Sequence, residues 1–539
     1  MTAPRVLISD KLSPAAVEVF RSRGVDVDLR PGLSPAELRA CIGGYDGLAI
    51  RSATKVTQEL LDAAPRLRVV GRAGIGVDNV DVKSATARGV VVMNTPNGNA
   101  TTTAEHAIAM MFALARQIPE ATASTRAGRW EKNRFLGVEL TGKTLGLIGC
   151  GNIGAIVANR AVGLHMRVIA YDPYLTEARA VALGVEKVDL PDLLARADVI
   201  TLHTPLTDAT RNILSRDALA ACKRGVRIIN CARGGLVDEA ALAEVLASGH
   251  VAGAALDVFE TEPATSSPLF AYENVVCTPH LGAATTEAQE NVALQVADQM
   301  ADFLLTGAVS NAVNMASLSA EEAPRLRPYM ELCRLLGAFA GQMTAADRGA
   351  LRSVAIEFEG QAAALNHRPL TAAAVAGLLG PLMEGVNMVN APVIARERGM
   401  EVAETVHDRP SEYQTLVRLT VSSDRQGRSD GTSGLTRSVA GTLFGAAGPR
   451  LVEIKGIKIE ADFGRHMLYV TNQDRPGFIG RFGAALSEAG INIATFHLGR
   501  AAAGGDAICL ASVDTPVPEA VLHQVRALPM VVQATTLQF

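Results

Sequence analysis

The stretch Leu145-Gly146-Leu147-Ile148-Gly149-Cys150-Gly151-Asn152-Ile153-Gly154 constrains this chain more than any other. Its mostly apolar start reads as a buried strand, the glycines fit the pattern G-x-G-x-x-G, and Ala155 to Val162 reads as a helix. In that setting Gly149 permits the tight strand-to-helix turn and Gly151 lets a pyrophosphate approach the backbone. Gly154 lets the helix lie close on the strand. Phosphates would then meet unpaired amides at the helix N-terminus, where the dipole favours negative charge. A Gly-rich turn alone is weak evidence. Here a second strand, Arg167-Val168-Ile169-Ala170-Tyr171, ends at Asp172, 18 residues past Gly154. An acid at that distance is expected to bond the ribose diol of NAD and to repel the 2′-phosphate of NADP. The expectation is a doubly wound, parallel-sheet α/β domain that takes NAD.

At 539 residues the chain is long for one domain, and about three or four fit the usual size range. A net charge of -4 without a long basic run argues against a nucleic-acid partner. The cysteines (Cys41, Cys150, Cys222, Cys231, Cys277, Cys333 and Cys509) are scattered and form no C-x-x-C pair. They read as reduced thiols, and neither a disulfide framework nor a metal site is expected. The sequence runs from Met1 almost directly into Val6-Leu7-Ile8 and has no membrane-length apolar run, so no signal peptide is expected. A cytoplasmic protein with no membrane partner is expected.

Residues 1–97 alternate short apolar strands (Val6–Ile8, Val25–Leu29, Gly47–Ile50, Arg68–Val70, Val90–Met93) with helical patterns such as Pro14–Arg21 and Gln58–Ala64. That order predicts a second parallel sheet with crossovers. Ligands gather at the C-terminal ends of such strands. Arg51 and Arg72 stand there, followed by the Gly-spaced loop Ala73-Gly74-Ile75-Gly76-Val77-Asp78-Asn79. Either arginine alone could be a solvated surface charge, but the pair beside a loop whose amides can hold an anion predicts an anion site. The helix Thr101–Arg116 then leads into the nucleotide domain, taken as 98–284. Several of its strands end in polar groups: His203-Thr204-Pro205, Cys231-Ala232-Arg233-Gly234-Gly235, Asp257 through Glu262, and Pro279-His280-Leu281-Gly282. Such ends converge on the nicotinamide side of the cleft. His203 precedes a proline and has no acid suggested as its partner; it reads as structural.

On these residues the chain resembles the D-2-hydroxyacid dehydrogenases over residues 1 to about 315. The motifs around Gly71–Asn79, Asn94–Asn99, Asn230–Gly235, Leu256–Phe259 and Pro279–Gly282 are most similar to the branch that acts on 3-phosphoglycerate. The resemblance implies Arg233, Glu262 and His280 as catalytic residues. For the cofactor it implies Asn152, Ile153, Asp172, Thr204, Cys231, Ala232, Asp257 and Gly282, with Ile75, Arg233 and His280 beside them and Gly149, Gly151 and Gly154 in the phosphate turn. Arg51, Arg72, Gly74, Gly76 and Arg233 would bind substrate, with Arg134 of a partner subunit as a possible helper. The chemistry suits these types. An imidazole can take the hydroxyl proton as hydride leaves carbon. A carboxylate beside it favours the imidazolium. A guanidinium grips an α-carboxylate with paired donors.

The helix Thr286–Leu305 would, in the resembled family, return to the first domain, giving a discontinuous substrate domain of 1–97 and 285–315. Residues 316–455 form an intervening α+β region with helical stretches and a Gly/Ser-rich loop, Ser422–Gly434; it resembles the intervening domain of the long bacterial-type members and suggests assembly or regulation. Arg437, Arg450 and Lys455 within it read as a solvated face rather than an anion patch. Residues 465–539 follow a βαββαβ order, a ferredoxin-like sandwich. The turn Asp474-Arg475-Pro476-Gly477 and Gly490-Ile491-Asn492-Ile493 resemble an ACT domain, with Asp474 and Asn492 as effector residues.

Together the resemblance implies NAD-dependent oxidation of D-3-phosphoglycerate to 3-phosphooxypyruvate, the first step of L-serine biosynthesis. It further implies a homo-oligomer, dimer or tetramer, with L-serine as allosteric effector. Two alternatives stand. A glyoxylate or hydroxypyruvate reductase would leave Arg51 and Arg72 with little to hold. An NAD-sensing binding protein would have no need of the Arg233, Glu262 and His280 set.

Overall fold

The computed structural model describes residues 3–319, 321–346, 350–407, 412–424, 435–445 and 448–539. The first sheet contains β1 (Arg5–Ile8), β2 (Asp26–Leu29), β3 (Gly47–Ile50), β4 (Val69–Arg72) and β5 (Val91–Met93), all parallel, in the order β2-β1-β3-β4-β5. Its middle strand β3 is buried throughout because helices cover both faces, which is why it reads as an unbroken apolar run. The helix Thr286–Thr306 packs on this sheet although it follows the nucleotide domain in sequence. Gly71 makes the approach possible: a Cβ there would lie 2.6 Å from Val296.

The second sheet contains β6 (Thr144–Ile148), β7 (Arg167–Tyr171), β8 (Glu186–Lys187), β9 (Val199–Leu202), β10 (Val226–Asn230), β11 (Val251–Leu256) and β12 (Val275–Cys277). It is parallel, ordered β12-β11-β10-β9-β6-β7-β8. The order reverses between β6 and β9, so the crevice opens where the Gly turn lies.

The third sheet is mixed: β13 (Ala350–Gly360), β14 (Glu401–His407), β15 (Thr415–Asp424), β16 (Leu435–Leu443), β17 (Pro449–Ile454) and β18 (Ile457–Asp462), ordered β14-β13-β15-β16-β17-β18. Helices Ala323–Ala346 and His367–Leu379 pack on it, and Gly337 and Gly377 let them touch at backbone distance. Two details differ from the sequence reading. β18 lies beyond residue 455 because its pairing with β17 closes the sheet. Ser422–Asp424, read as loop, end β15, and 425–434 fall outside the described residues.

The fourth sheet, β19 (His466–Gln473), β20 (Ile493–Arg500), β21 (Asp506–Val513) and β22 (Val531–Gln538), is antiparallel in the order β20-β21-β19-β22. Helices Phe478–Glu488 and Glu519–Arg526 bury their apolar sides against it, completing the ferredoxin-like sandwich. The sheet also meets the third unit. A Cβ on Gly499 would lie 2.5 Å from the Lys458 carbonyl, and Phe339 and Tyr469 stack edge to face at 5.7 Å. Arg437 is buried at this junction beside Tyr469, so the solvated-face reading fails for it; Lys455 stays exposed and Arg450 pairs with Asp462.

Candidate active site

At the nucleotide end, Gly149 has φ +94, and a Cβ there would lie 2.6 Å from the His203 carbonyl oxygen. Gly151 faces open space, and no side chain caps the helix Asn152–Gly163. Its first amides are therefore available to a phosphate. Asp172 ends β7; its two oxygens accept from the Cys150 and Tyr174 amides, both at 2.8 Å, and keep further lone pairs. Asn152 reaches across to Asn97 at 3.1 Å; Ile153, Thr204 and Ala232 are partly exposed, while Cys231 is buried. The Ile75 carbonyl accepts from Asn94 Nδ2 at 2.6 Å. These features fit a dinucleotide. His203 sits beneath the turn, its Nε2 sharing a hydrogen bond with Thr201 Oγ1 at 3.0 Å, and burial pushes its pKa down to about 4. It stays neutral and structural.

His280 and Glu262 meet at 2.7 Å, Nδ1 to Oε2. The other Glu262 oxygen accepts from the Phe259 amide at 3.1 Å. Burial raises the Glu262 carboxyl, but the bonds from His280 and Phe259 outweigh it and hold it below the usual carboxylate range. His280 adopts a left-handed backbone, φ 56, at a cost of about 1–3 kcal/mol for a non-glycine residue. Asp257 secures it. Its carbonyl accepts from the His280 amide at 2.8 Å, and its fully buried carboxylate accepts from the Leu281 and Gly282 amides at 2.7 and 2.8 Å. Thr278 Oγ1, at 2.6 Å, and His106 Nε2, at 3.2 Å, complete the set. Burial would raise the Asp257 carboxyl; the hydrogen bonds from His106, Thr278 and Leu281 win and lower it. His106 was not singled out from sequence, since nothing in a helical stretch marks a residue that meets a strand end far along the chain.

Arginines fill the other wall. Arg233 donates from Nε to Asp78 Oδ2 at 2.9 Å and from Nη1 to the Ala232 carbonyl at 2.6 Å. Asn230, buried, shapes that turn by bonding the Ala232 amide and the Arg233 carbonyl. Arg72 Nε is buried and has no hydrogen-bond partner among the described residues. Its pKa is lowered to about 10, first by burial and then by the adjacent Arg233 charge. Side chains on Gly74 or Gly76 would overlap the Arg72 or Arg233 guanidinium, so these glycines make room for the cations. Arg51, Arg72, Arg233, Glu262 and His280 line one cavity of about 560 Å3 between the two parallel sheets. Arg134 pairs with Glu273 of its own chain at 2.8 Å.

A model of the D-isomer specific 2-hydroxyacid dehydrogenase NAD binding domain matches residues 108–282. A D-3-phosphoglycerate dehydrogenase from Synechocystis sp. is 40% identical over 539 residues, covering 100% of this chain and 95% of that one. The chain belongs to the D-3-phosphoglycerate dehydrogenase family. Another relative of that name, from Bacillus subtilis, is 40% identical and covers 98% of each chain. The D-3-phosphoglycerate dehydrogenase intervening domain matches 325–455 and the ACT domain 466–529. A solved glyoxylate reductase from Paecilomyes thermophila superposes with TM-score 0.55, at 30% identity over 58% of this chain and 99% of that one.

As a member of this family the chain is an NAD-dependent oxidoreductase. Pro173 and Tyr174 follow Asp172, so no cation directly after it offsets a like-charge clash with a 2′-phosphate. Wild type should therefore favour NAD over NADP in kcat/KM by about a hundredfold or more, and Asp172→Ala should narrow the gap. Equal use of both cofactors by wild type would remove Asp172 from this role.

In the ACT domain the two proposed effector residues have separate partners. Asp474 accepts from Arg500 at 2.8 Å and the Gly504 amide at 3.1 Å, whereas Asn492 donates to Asp514 at 2.8 Å. They lie at the ends of strands that are not neighbours in the sheet.

Proposed function

We propose that this chain oxidises D-3-phosphoglycerate to 3-phosphooxypyruvate, opening L-serine biosynthesis. The observation that carries this is the convergence of Arg51, Arg72 and Arg233 on the His280–Glu262 pair in one cavity. A substrate with an anion at each end of a secondary alcohol matches it. Arg233 grips the α-carboxylate, and Arg51 and Arg72 take the phosphate. With Nδ1 donating to Glu262, the Nε2 lone pair of His280 faces the hydroxyl and removes its proton. Glu262 then stabilises the imidazolium. Gly149, Gly151, Gly154 and Asp172 would hold NAD, which would supply the hydride acceptor. Asn152, Ile153, Thr204, Cys231 and Ala232 would flank it, and Ile75 would close the nicotinamide side. Asp257, whose oxygens serve the 278–282 loop, acts chiefly by holding His280 and Gly282 in place.

A steady-state panel of 2-hydroxy and 2-keto acids tests this reading. 3-Phosphoglycerate should exceed glycerate and lactate in kcat/KM by about a hundredfold, the discrimination expected when a buried charged site loses its partner. A preference for glyoxylate or hydroxypyruvate would replace it with the reductase reading that the structural neighbour's name, glyoxylate reductase, suggests.

The four sheets support a substrate domain of 1–97 with 285–315, a nucleotide domain of 98–284, an intervening domain that runs from 316 past 455 to include β18, and an ACT domain of 465–539. A homo-oligomer is supported by Trp130 and Leu136, 83% and 80% exposed, which offer apolar surface to a second copy. No helix among the described residues is long and apolar enough to cross a membrane, and a cytoplasmic site suits serine synthesis. L-Serine is proposed to bind at Asp474 and Asn492 of paired ACT domains and to act by favouring the less active arrangement. Serine should inhibit wild type, and Asp474→Ala should need about tenfold more, as expected on losing one charge-assisted bond. Wild type that neither responds nor binds serine by calorimetry would leave the ACT domain a dimerisation element.

A further inference from the structure

A second cavity, of about 660 Å3, adjoins the substrate cavity on the outer side of the loop after β3. It opens at the C-terminal ends of β1 and β3, where Ser9, Asp10 and Lys11 leave one strand and Arg51 to Lys55 leave the other. In the order β2-β1-β3-β4-β5 the chain departs from these two strands in opposite directions. The helix after β1, Ala15–Ser22, joins the core on one face, and Gln58–Asp62 after β3 joins the core on the other. Such a reversal opens a crevice, and in open parallel sheets it is the place where ligands bind. The nucleotide domain uses its own reversal, between β6 and β9, for the Gly turn. Arg51 apart, the residues at the reversal in the first sheet have no role in the reaction described above.

The lining is cationic. Lys11, Arg39, Arg51 and Lys55 face Asp10 and Glu59. Asp10 is buried and already committed: Oδ2 accepts from the Arg51 and Thr54 amides at 2.6 and 3.1 Å, and Oδ1 from the Thr54 hydroxyl at 2.6 Å. From the other side Asn79 Nδ2 donates to the carbonyls of Arg51 and Thr54 at 2.8 and 2.7 Å. The loop is therefore held before any ligand arrives, which lowers the ordering cost of binding. It is also a shared wall, because Arg51 and Ser52 line both cavities.

We infer that this crevice is a second small-molecule site, for a compact anion of two or more charges, phosphorylated or polycarboxylate. Its occupant engages Lys11, Arg39 and Lys55 and draws on Arg51. One guanidinium cannot serve two anions fully, so occupant and substrate compete. The volume suits a metabolite, since small-molecule sites run from about 300 to 1,000 Å3. Lys11 and Arg39 are exposed, so binding weakens as salt rises. The competition through Arg51 rests on the substrate reading proposed above; the site itself does not.

Citrate and inorganic pyrophosphate serve as the polycarboxylate and phosphate probes, with ionic strength matched by sodium chloride. Binding to the full-length protein is measured by calorimetry and inhibition against 3-phosphoglycerate by steady-state kinetics. Wild type is compared with a Lys11→Gln, Arg39→Gln double variant. Neither side chain lines the substrate cavity, so uninhibited turnover should be unchanged. At least one probe should bind and inhibit competitively, and the double variant should weaken both effects about tenfold; the stronger probe identifies the ligand chemistry. Absence of binding by both probes would overturn the site. So would wild-type affinity in the double variant, since the anion would then be held elsewhere. Binding that the variant weakens but that leaves substrate affinity untouched would uphold the site and overturn the link through Arg51.

Discussion

Replacing His280 with alanine should lower kcat by about two to four orders of magnitude, the usual size of a general acid–base contribution. KM for both NAD and substrate should change little, because the arginines and the Gly turn are left in place. Glu262→Gln should act differently. Glu262 is held in its charged form chiefly by His280 and the Phe259 amide, against burial. The amide replacement removes the counter-charge of the imidazolium and leaves its shape. In the oxidative direction the imidazole accepts the hydroxyl proton, and the imidazolium formed in the reaction is no longer stabilised in the variant. The kcat should therefore fall by about ten- to a hundredfold while KM changes little. An unchanged kcat, with binding unchanged, would take Glu262 out of proton transfer and leave it a loop fastener.

Arg72→Ala should raise KM for 3-phosphoglycerate by about ten- to a hundredfold, the equivalent of one charge-assisted bond of about 1.5–3 kcal/mol. The size follows from the site. Arg72 is half-buried beside two other arginines, and its buried Nε lacks a partner among the described residues. Holding a cation there is costly, and an incoming anion recovers that cost. Loss on an unphosphorylated 2-hydroxyacid should be several-fold smaller. Arg72→Lys should rescue only in part, because an ammonium lacks the planar fork that grips a phosphate. Equal losses on both substrates would make Arg72 a carboxylate ligand or a structural cation.

Much of this architecture is written in short-range patterns. The Gly turn, the acid at the end of β7 and the strands of the last domain depend on spacing over a few residues. His466–Gln473 and Asp506–Val513 form the first and third strands of the βαββαβ order expected for residues 465–539. Arg233, Glu262 and His280 were legible for a related reason: each follows the C-terminal end of a strand, and in a parallel sheet such ends share one edge. What local pattern could not supply was distance across the chain. Nothing in Thr286–Thr306 announces that it covers the first sheet; the space left above Gly71 decides that. The buried Asp257 and its partner His106 come from distant segments, and only their meeting makes the His280 loop rigid. The largest disagreement with the sequence reading has the same origin. Arg437 looks like any surface cation in a mixed polar stretch, yet it is buried where the third sheet meets the ACT domain. Periodicity shows which side of a strand a residue occupies. Whether that side meets water or another domain depends on how the domains dock, and that is decided by the tertiary structure.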